Sequence, residues 1–149
     1  MIRGFTLMEL VLVLAVLGIM AVAAVISAPS PRAANLMAAA RQVQNDIEYA
    51  KQNAMMTGVT SGVSFTQNAN YIVYQNTTAT PLTSALTKTS LNVTISAHYS
   101  NINLNDTYVV EFNGFGAPTT GGGGSVRVTD GTNIKTIVVT ANTGMVKIQ

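Results

Sequence analysis

Three hydrophobic patterns follow one another along the chain. From Leu10 through Ile26 every residue is apolar or glycine, with Glu9 standing at the head of the run. As a helix rising about 1.5 Å per residue, residues 5–28 are long enough to cross the roughly 30 Å hydrocarbon core of a bilayer. Over residues 32–57 the period becomes that of an amphipathic helix. Leu36, Ala40, Val43, Ile47, Ala50 and Ala54 fall at steps of four and three, while Arg41, Gln42, Gln44, Asn45, Glu48, Lys51 and Gln52 fill the other faces. Beyond Gly58, a suitable helix stop, the pattern shortens to that of strands.

Ser27-Ala28-Pro29-Ser30-Pro31 punctuates the two helical stretches. Two prolines so close either kink a continuing helix or break it briefly, and Ser30-Pro31 also suits an N-cap and first helical residue. Within the second stretch Glu48 and Lys51 are one turn apart and in reach of an ion pair.

In the β region, Val59, Val63 and Phe65 lead through Gln67-Asn68-Ala69-Asn70 to Tyr71-Ile72-Val73-Tyr74, which predicts a hairpin. Residues 76–90, rich in Thr, Ser and Asn with Pro81, read as a loop anchored by Leu82, Leu86 and Leu91. Further strands are predicted over residues 91–95 and in the stretch ending at Phe112. Residues 125–129 and 134–140 flank Asp130-Gly131, and Asn142-Thr143-Gly144 turns the chain again into residues 145–149, giving a three-strand meander. The expected fold class is α+β: a long N-terminal helix, membrane half plus amphipathic half, packed against a C-terminal antiparallel β-sheet head.

Composition narrows the chemistry. Of 149 residues only 9% are charged, and the net charge is +2, which gives no electrostatic footprint for nucleic acid. Cysteine is absent, so thiol chemistry, disulfides and Cys-based metal sites are excluded, and stability rests on packing. About 90 residues follow the helical region, enough for a small single core.

Glu9 is the residue that most needs explaining, because an acid at membrane depth costs about 2.5–3.5 kcal/mol even on insertion scales and calls for a partner. A cleaved secretory signal accounts for the basic start and a small-residue exit at Ile26-Ser27-Ala28, but not for Glu9 or the length of the run. A plain membrane anchor leaves the residues from Gly4 to Glu9 unexplained, and a buried core helix explains neither feature. Arg3 precedes the run while Arg32 and Arg41 follow it, so basic residues alone do not orient it.

The hexapeptide Gly4-Phe5-Thr6-Leu7-Met8-Glu9, behind a short basic leader and ahead of an apolar helix, resembles the amino-terminal signature of type IV pilins and the pseudopilins of type II secretion. The resemblance implies a cleaved leader over residues 1–4, with a prepilin peptidase cutting between Gly4 and Phe5 and methylating the new Phe5 amine. It further implies a transmembrane and filament-core helix over residues 5–28, an amphipathic helix over 29–58 and a β-rich head over 59–149. Glu9 then pairs with the Phe5 amine of a neighbouring subunit during assembly. The implied partners are other pilin or pseudopilin subunits, the peptidase, an inner-membrane assembly platform and, before assembly, membrane lipid. The implied location is the bacterial inner membrane, single-pass with an exported head, and then a periplasmic pseudopilus or an extracellular pilus.

Along the remainder, Ala50-Lys51-Gln52-Asn53-Ala54, Gly58-Val59, Val63-Ser64-Phe65, Val110-Glu111-Phe112-Asn113-Gly114-Phe115-Gly116, Ile137-Val138-Val139 and Gly144-Met145-Val146 resemble the GspH/FimT type of minor pilin or pseudopilin. The expected function is that of a structural subunit, with no enzymatic activity and no cofactor. A major pilin, an exported binding domain and a minor pilin for DNA uptake are the alternatives.

Other candidate chemistry is sparse. The run Gly121-Gly122-Gly123-Gly124 lacks the Lys-Ser/Thr and following helix of a phosphate-binding loop, and reads as a mobile, exposed loop between strands. His98 has Asp106 near it in sequence but no nucleophile motif, and the acids show no metal-ligand spacing. Arg127, Lys135 and Lys147 lie on the terminal strands, where they are weak candidates for contacting phosphates from one side. Three Asn-x-Ser/Thr sequences, at Asn76, Asn92 and Asn105, read as chance occurrences in an Asn/Thr-rich chain.

Overall fold

The computed structural model describes residues 6–26, 31–84 and 87–149, with the side chains of the first segment described as far as Ala21. The chain divides into two compact units, residues 1–30 and residues 31–149. In the first, α1 (Leu7–Ile26) is a single 20-residue helix. Among the described residues no helix is long and apolar enough to cross a membrane. The expected kink or break at Pro29 and Pro31 turns on residues 27–30, and the anchoring role of Leu86 on residues 85–86; both lie outside the described residues.

The second unit is built on α2 (Pro31–Thr57). Proline suits the first position of a helix, since its missing N–H has no intrahelical partner there. The helix ends at Gly58, whose φ of 70° is the left-handed conformation of a C-terminal cap and whose N–H donates to the Ala54 carbonyl at 2.9 Å. All six residues of the predicted stripe are buried, joined by Ala39. Leu36, Val43 and Ile47 each contribute about 1.5–3 kcal/mol of apolar burial, and the four alanines let the helix axis lie close to the strands beneath.

Those strands form two antiparallel sheets. The first contains β1 (Ser61–Phe65), β2 (Tyr71–Gln75), β3 (Asn92–Val93), β5 (Tyr108–Phe112) and β6 (Pro118–Thr120), in the order β3-β2-β1-β5-β6. The second contains β4 (Asn103–Leu104), β7 (Ser125–Thr129), β8 (Ile134–Val139) and β9 (Val146–Ile148), in the order β4-β7-β8-β9. A short helix, α3 (Ile95–His98), leads toward β4. α2 packs on β1, β2 and β5 of one sheet and on β7, β8 and β9 of the other, so its apolar stripe serves both.

Register places the core side chains on the helix side. Val63 lies between Val73 and Val110, Val126 opposite Ile137, and Val139 opposite Val146, all buried. The α+β arrangement expected from the sequence is thus the one observed, with the meander as β7-β8-β9. Two differences are instructive. Residues 91–95 supply only a two-residue strand, because Ile95 turns into α3 and buries there instead. The glycine run is a loop between strands as expected, with Gly122 and Gly123 exposed, but it is also a hydrogen-bonded crossover from the first sheet to the second. Gly123 donates to the Val139 carbonyl at 2.8 Å, Val139 donates to that of Gly124 at 3.0 Å, and the Tyr108 hydroxyl donates to the Gly121 carbonyl at 2.6 Å.

Candidate functional site

At the start of α1, Thr6 organises the first turn. Its carbonyl accepts the N–H groups of Glu9 at 3.1 Å and Leu10 at 3.2 Å, and its hydroxyl oxygen accepts the Glu9 N–H at 3.3 Å. Thr-x-x-Glu is the spacing of a capping box, a signal that hydropathy patterning passes over. Glu9 is therefore exposed in a first turn where the helix dipole favours negative charge. Around it the helix is apolar on every side, with Leu7 82% and Ile19 72% exposed. Gly4 and Phe5 lie outside the described residues.

Within residues 31–149, three sequence segments that are distant along the chain meet. Lys51, near the end of α2, donates its ammonium to the carbonyls of Thr143 at 2.8 Å and Gly144 at 3.2 Å. The expected Glu48–Lys51 ion pair is not made: the turn carbonyls take the lysine, and Glu48 accepts from Gln44 at 3.2 Å. Gly144 abuts the Gly116 carbonyl and the Phe112 ring so closely that a Cβ there would sit 2.7 Å from the one and 2.8 Å from the other. A Cβ on Gly116 would lie 2.8 Å from the Met55 sulfur, and one on Gly114 3.2 Å from the Gly58 Cα. Helix end, the turn after β5 and the turn before β9 thus form one junction. Beside it lies a pocket of about 460 Å³ lined by Lys51, Met55, Thr143 and Met145.

Two polar constellations escaped the sequence pattern. Asp46, on the flank of the α2 stripe, accepts a hydrogen bond from the Tyr71 hydroxyl. Burial raises the Asp46 carboxyl above its ordinary pKa, and the Tyr71 bond partly offsets this. Tyr71 is fully buried, and burial first, then the Asp46 charge, push its hydroxyl far up. The clue in the sequence is position: Asp46 adjoins Ile47 and follows Val43 by three. On the outer face of the first sheet, the Tyr74 hydroxyl and the Thr120 hydroxyl both donate to Glu111, each at 2.8 Å.

The basic candidates do not come together. Arg127 is committed to Asp106, with bonds of 2.9 Å from Nε and 2.6 Å from its terminal nitrogen. Those bonds hold the Asp106 carboxyl below its usual range. Lys147 pairs in register with Val138, on the same face as Arg127 and Thr136. Lys135 pairs with Val128 and shares the opposite, core-side face with Ile137 and Val139. Period-two alternation places positions 127 and 135 on opposite faces once the register is known, which the sequence alone does not supply. His98 is exposed on α3, and Asp106 serves Arg127 rather than a histidine.

No curated protein and no solved structure matches the chain. The sequence profile of the family described as Type II transport protein GspH matches residues 39–144, more than half of the chain. That span takes in the buried stripe of α2 from Ala39 onward, both sheets apart from β9, and the Lys51–Gly144 junction. The chain belongs to the GspH family of type II transport proteins, pseudopilins with the type IV pilin-like fold.

Proposed function

We propose that this chain is a minor structural subunit of a type II secretion pseudopilus or a type IV pilus, held in the inner membrane by residues 5–28 before assembly. A structural role in type II secretion follows from the family; the finer reading rests on the amino-terminal hexapeptide running into an apolar helix. Prepilin peptidase removes residues 1–4 and methylates Phe5. Glu9 recruits the Phe5 amine of an adjacent subunit, and neutralising that charge lowers the cost of moving the helix from lipid into a filament. The head is exported, and an assembly platform with its own energy source supplies the motion. The chain itself performs no catalysis.

Amino-terminal sequencing with mass spectrometry of the mature protein tests this reading. Methylated Phe5 as the first residue supports it, and a mature start near Pro29 overturns it in favour of an exported domain with an ordinary signal. Finding this chain as the dominant species of purified filaments would make it the major subunit instead. A DNA-uptake role draws little support from Arg127, Lys135 and Lys147, since Arg127 is paired and Lys135 is on the other face.

A further inference from the structure

Asn113 is the one asparagine of the chain that is followed by glycine. Asparagine is among the thermally labile residues, and a glycine after it removes the side chain that would crowd the attack of the next amide nitrogen on its Cγ. The pair sits in the turn between β5 and β6, against the junction at the end of α2. Asn113 and Gly114 are half-buried and Phe115 after them is 93% exposed, so water reaches the turn.

Two features of the turn favour the attack. The Asn113 side-chain oxygen accepts the N–H groups of Phe115 at 3.0 Å and Ala117 at 3.1 Å. The side chain is thereby folded forward over the Gly114 peptide, which holds Cγ beside the attacking nitrogen, and the two donors draw electron density from that carbon as an oxyanion hole does. The Gly114 N–H donates to no acceptor among the described residues, and so is open to losing its proton to solvent. Asp130-Gly131, the aspartate counterpart of the pair, is arranged otherwise. Its Gly131 N–H donates to the Thr129 hydroxyl at 3.0 Å, and bonds from Asn133 and Thr132 keep Asp130 a carboxylate, a poor electrophile, at neutral pH.

The turn also sets a brake. The Asn113 N–H donates to the Ala117 carbonyl at 3.0 Å, and the Asn113 carbonyl accepts the Gly116 N–H at 2.9 Å. Ring closure turns the chain about the Asn113 Cα–C bond and breaks both, which slows it about 10- to 100-fold relative to the unfolded chain.

We propose that Asn113 is a site of spontaneous deamidation in the folded chain, and that its isoaspartate product loosens the junction between the end of α2 and β9. The bond from the Gly114 nitrogen to Cγ forms and the Cγ–Nδ2 bond breaks, ammonia leaving with the Gly114 proton. Water then adds across one of the two imide C–N bonds of the succinimide, giving aspartate or isoaspartate. Isoaspartate routes the backbone through Cβ and lengthens the turn by one carbon. The Gly116 carbonyl, against which Gly144 is seated too tightly for a Cβ, then shifts, and with it the turn that Lys51 holds ahead of β9.

The test ages the full chain in detergent at pH 7 in heavy-oxygen water, folded and urea-unfolded in parallel, and maps the label by mass spectrometry of peptides. Label is expected at 113 in the folded chain, about 10- to 100-fold more slowly than in the unfolded one, ahead of Asp130 and of every other asparagine. Asn113→Gln, which closes a ring less readily, should stay unlabelled there. A folded chain without label at 113 after the unfolded chain has converted overturns the site, and so does labelling no faster than at the other asparagines. The isoaspartate form, separated by ion exchange, should exchange the amide hydrogens of β9 about tenfold faster than Asn113→Asp, which carries the same charge on an ordinary backbone. Equal exchange in the two overturns the loosening.

Discussion

Tyr71→Phe removes one hydroxyl and nothing else from the centre of the head. The ring stays, fully buried and 5.2 Å centroid to centroid from Phe65, so packing is conserved. What is lost is the hydrogen bond donated to Asp46, together with the one the hydroxyl oxygen accepts from the Gln42 side chain. A bond to a charged acceptor contributes about 1.5–3 kcal/mol, and that is the expected loss of stability at pH 7. The pH dependence has a definite sign. Asp46 has a native pKa above its unfolded value of 3.8 because of burial, so the native state binds the proton more tightly. Stability from this group therefore grows as pH falls through the native pKa toward 3.8 and is lost as pH rises. Without the Tyr71 hydroxyl, which lowers the Asp46 pKa, that gain begins at a higher pH. The penalty of the variant should thus be largest at neutral pH and shrink on acidification. Denaturant unfolding of the detergent-solubilised chain at pH 7 and at pH 5, followed by tyrosine signals, measures it, and Asp46→Asn with the double variant closes the cycle. A penalty below about 0.5 kcal/mol at pH 7, or one that is the same at both pH values, refutes the reasoning.

The remaining predictions concern other parts of the chain. Gly121→Ala should lower stability by about 3 kcal/mol or more, because φ is 70° and a Cβ would land on the Val109 carbonyl oxygen; thermal unfolding checks it, and a shift within error contradicts the packed crossover. Arg127→Ala should move the Asp106 carboxyl titration upward, toward ordinary values, in carboxyl-carbon NMR spectra, with little change in stability for so exposed a pair. Glu9→Ala should still be cleaved after Gly4 yet enter filaments poorly, as immunoblots of membrane and sheared-filament fractions would reveal; normal incorporation removes the pairing role.

The helices were legible because burial of a helix stripe follows from local spacing alone: Leu36, Ala40, Val43, Ile47, Ala50 and Ala54 need no knowledge of what they pack against. The hairpin turns were legible for a similar reason, as Asn68 and Gly131 with φ of 54° and 89° occupy conformations that their types favour. What pairs across long separations was not. Pro118 and two threonines carry no strand pattern, and β6 exists because they lie beside Glu111 and Phe112. The division into two sheets depends on the tight crossing at Gly121, which local composition reads as a flexible loop. Likewise Lys51 was read against Glu48, its neighbour in sequence, when the stronger claim came from carbonyls more than ninety positions away. At the amino terminus the signature residues Gly4 to Glu9 were legible as a motif, but nothing in patterning revealed that Thr6 caps the helix on which Glu9 stands.

That α2 packs on both sheets has a mechanical meaning. Tension applied along the axis of α2 loads the seven buried side chains from Leu36 to Ala54 together, in shear. Contacts sheared in parallel share a load that contacts peeled one at a time would meet singly. With no cysteine to fasten the sheets, this helix is the strut through which a pull or a push is distributed to both.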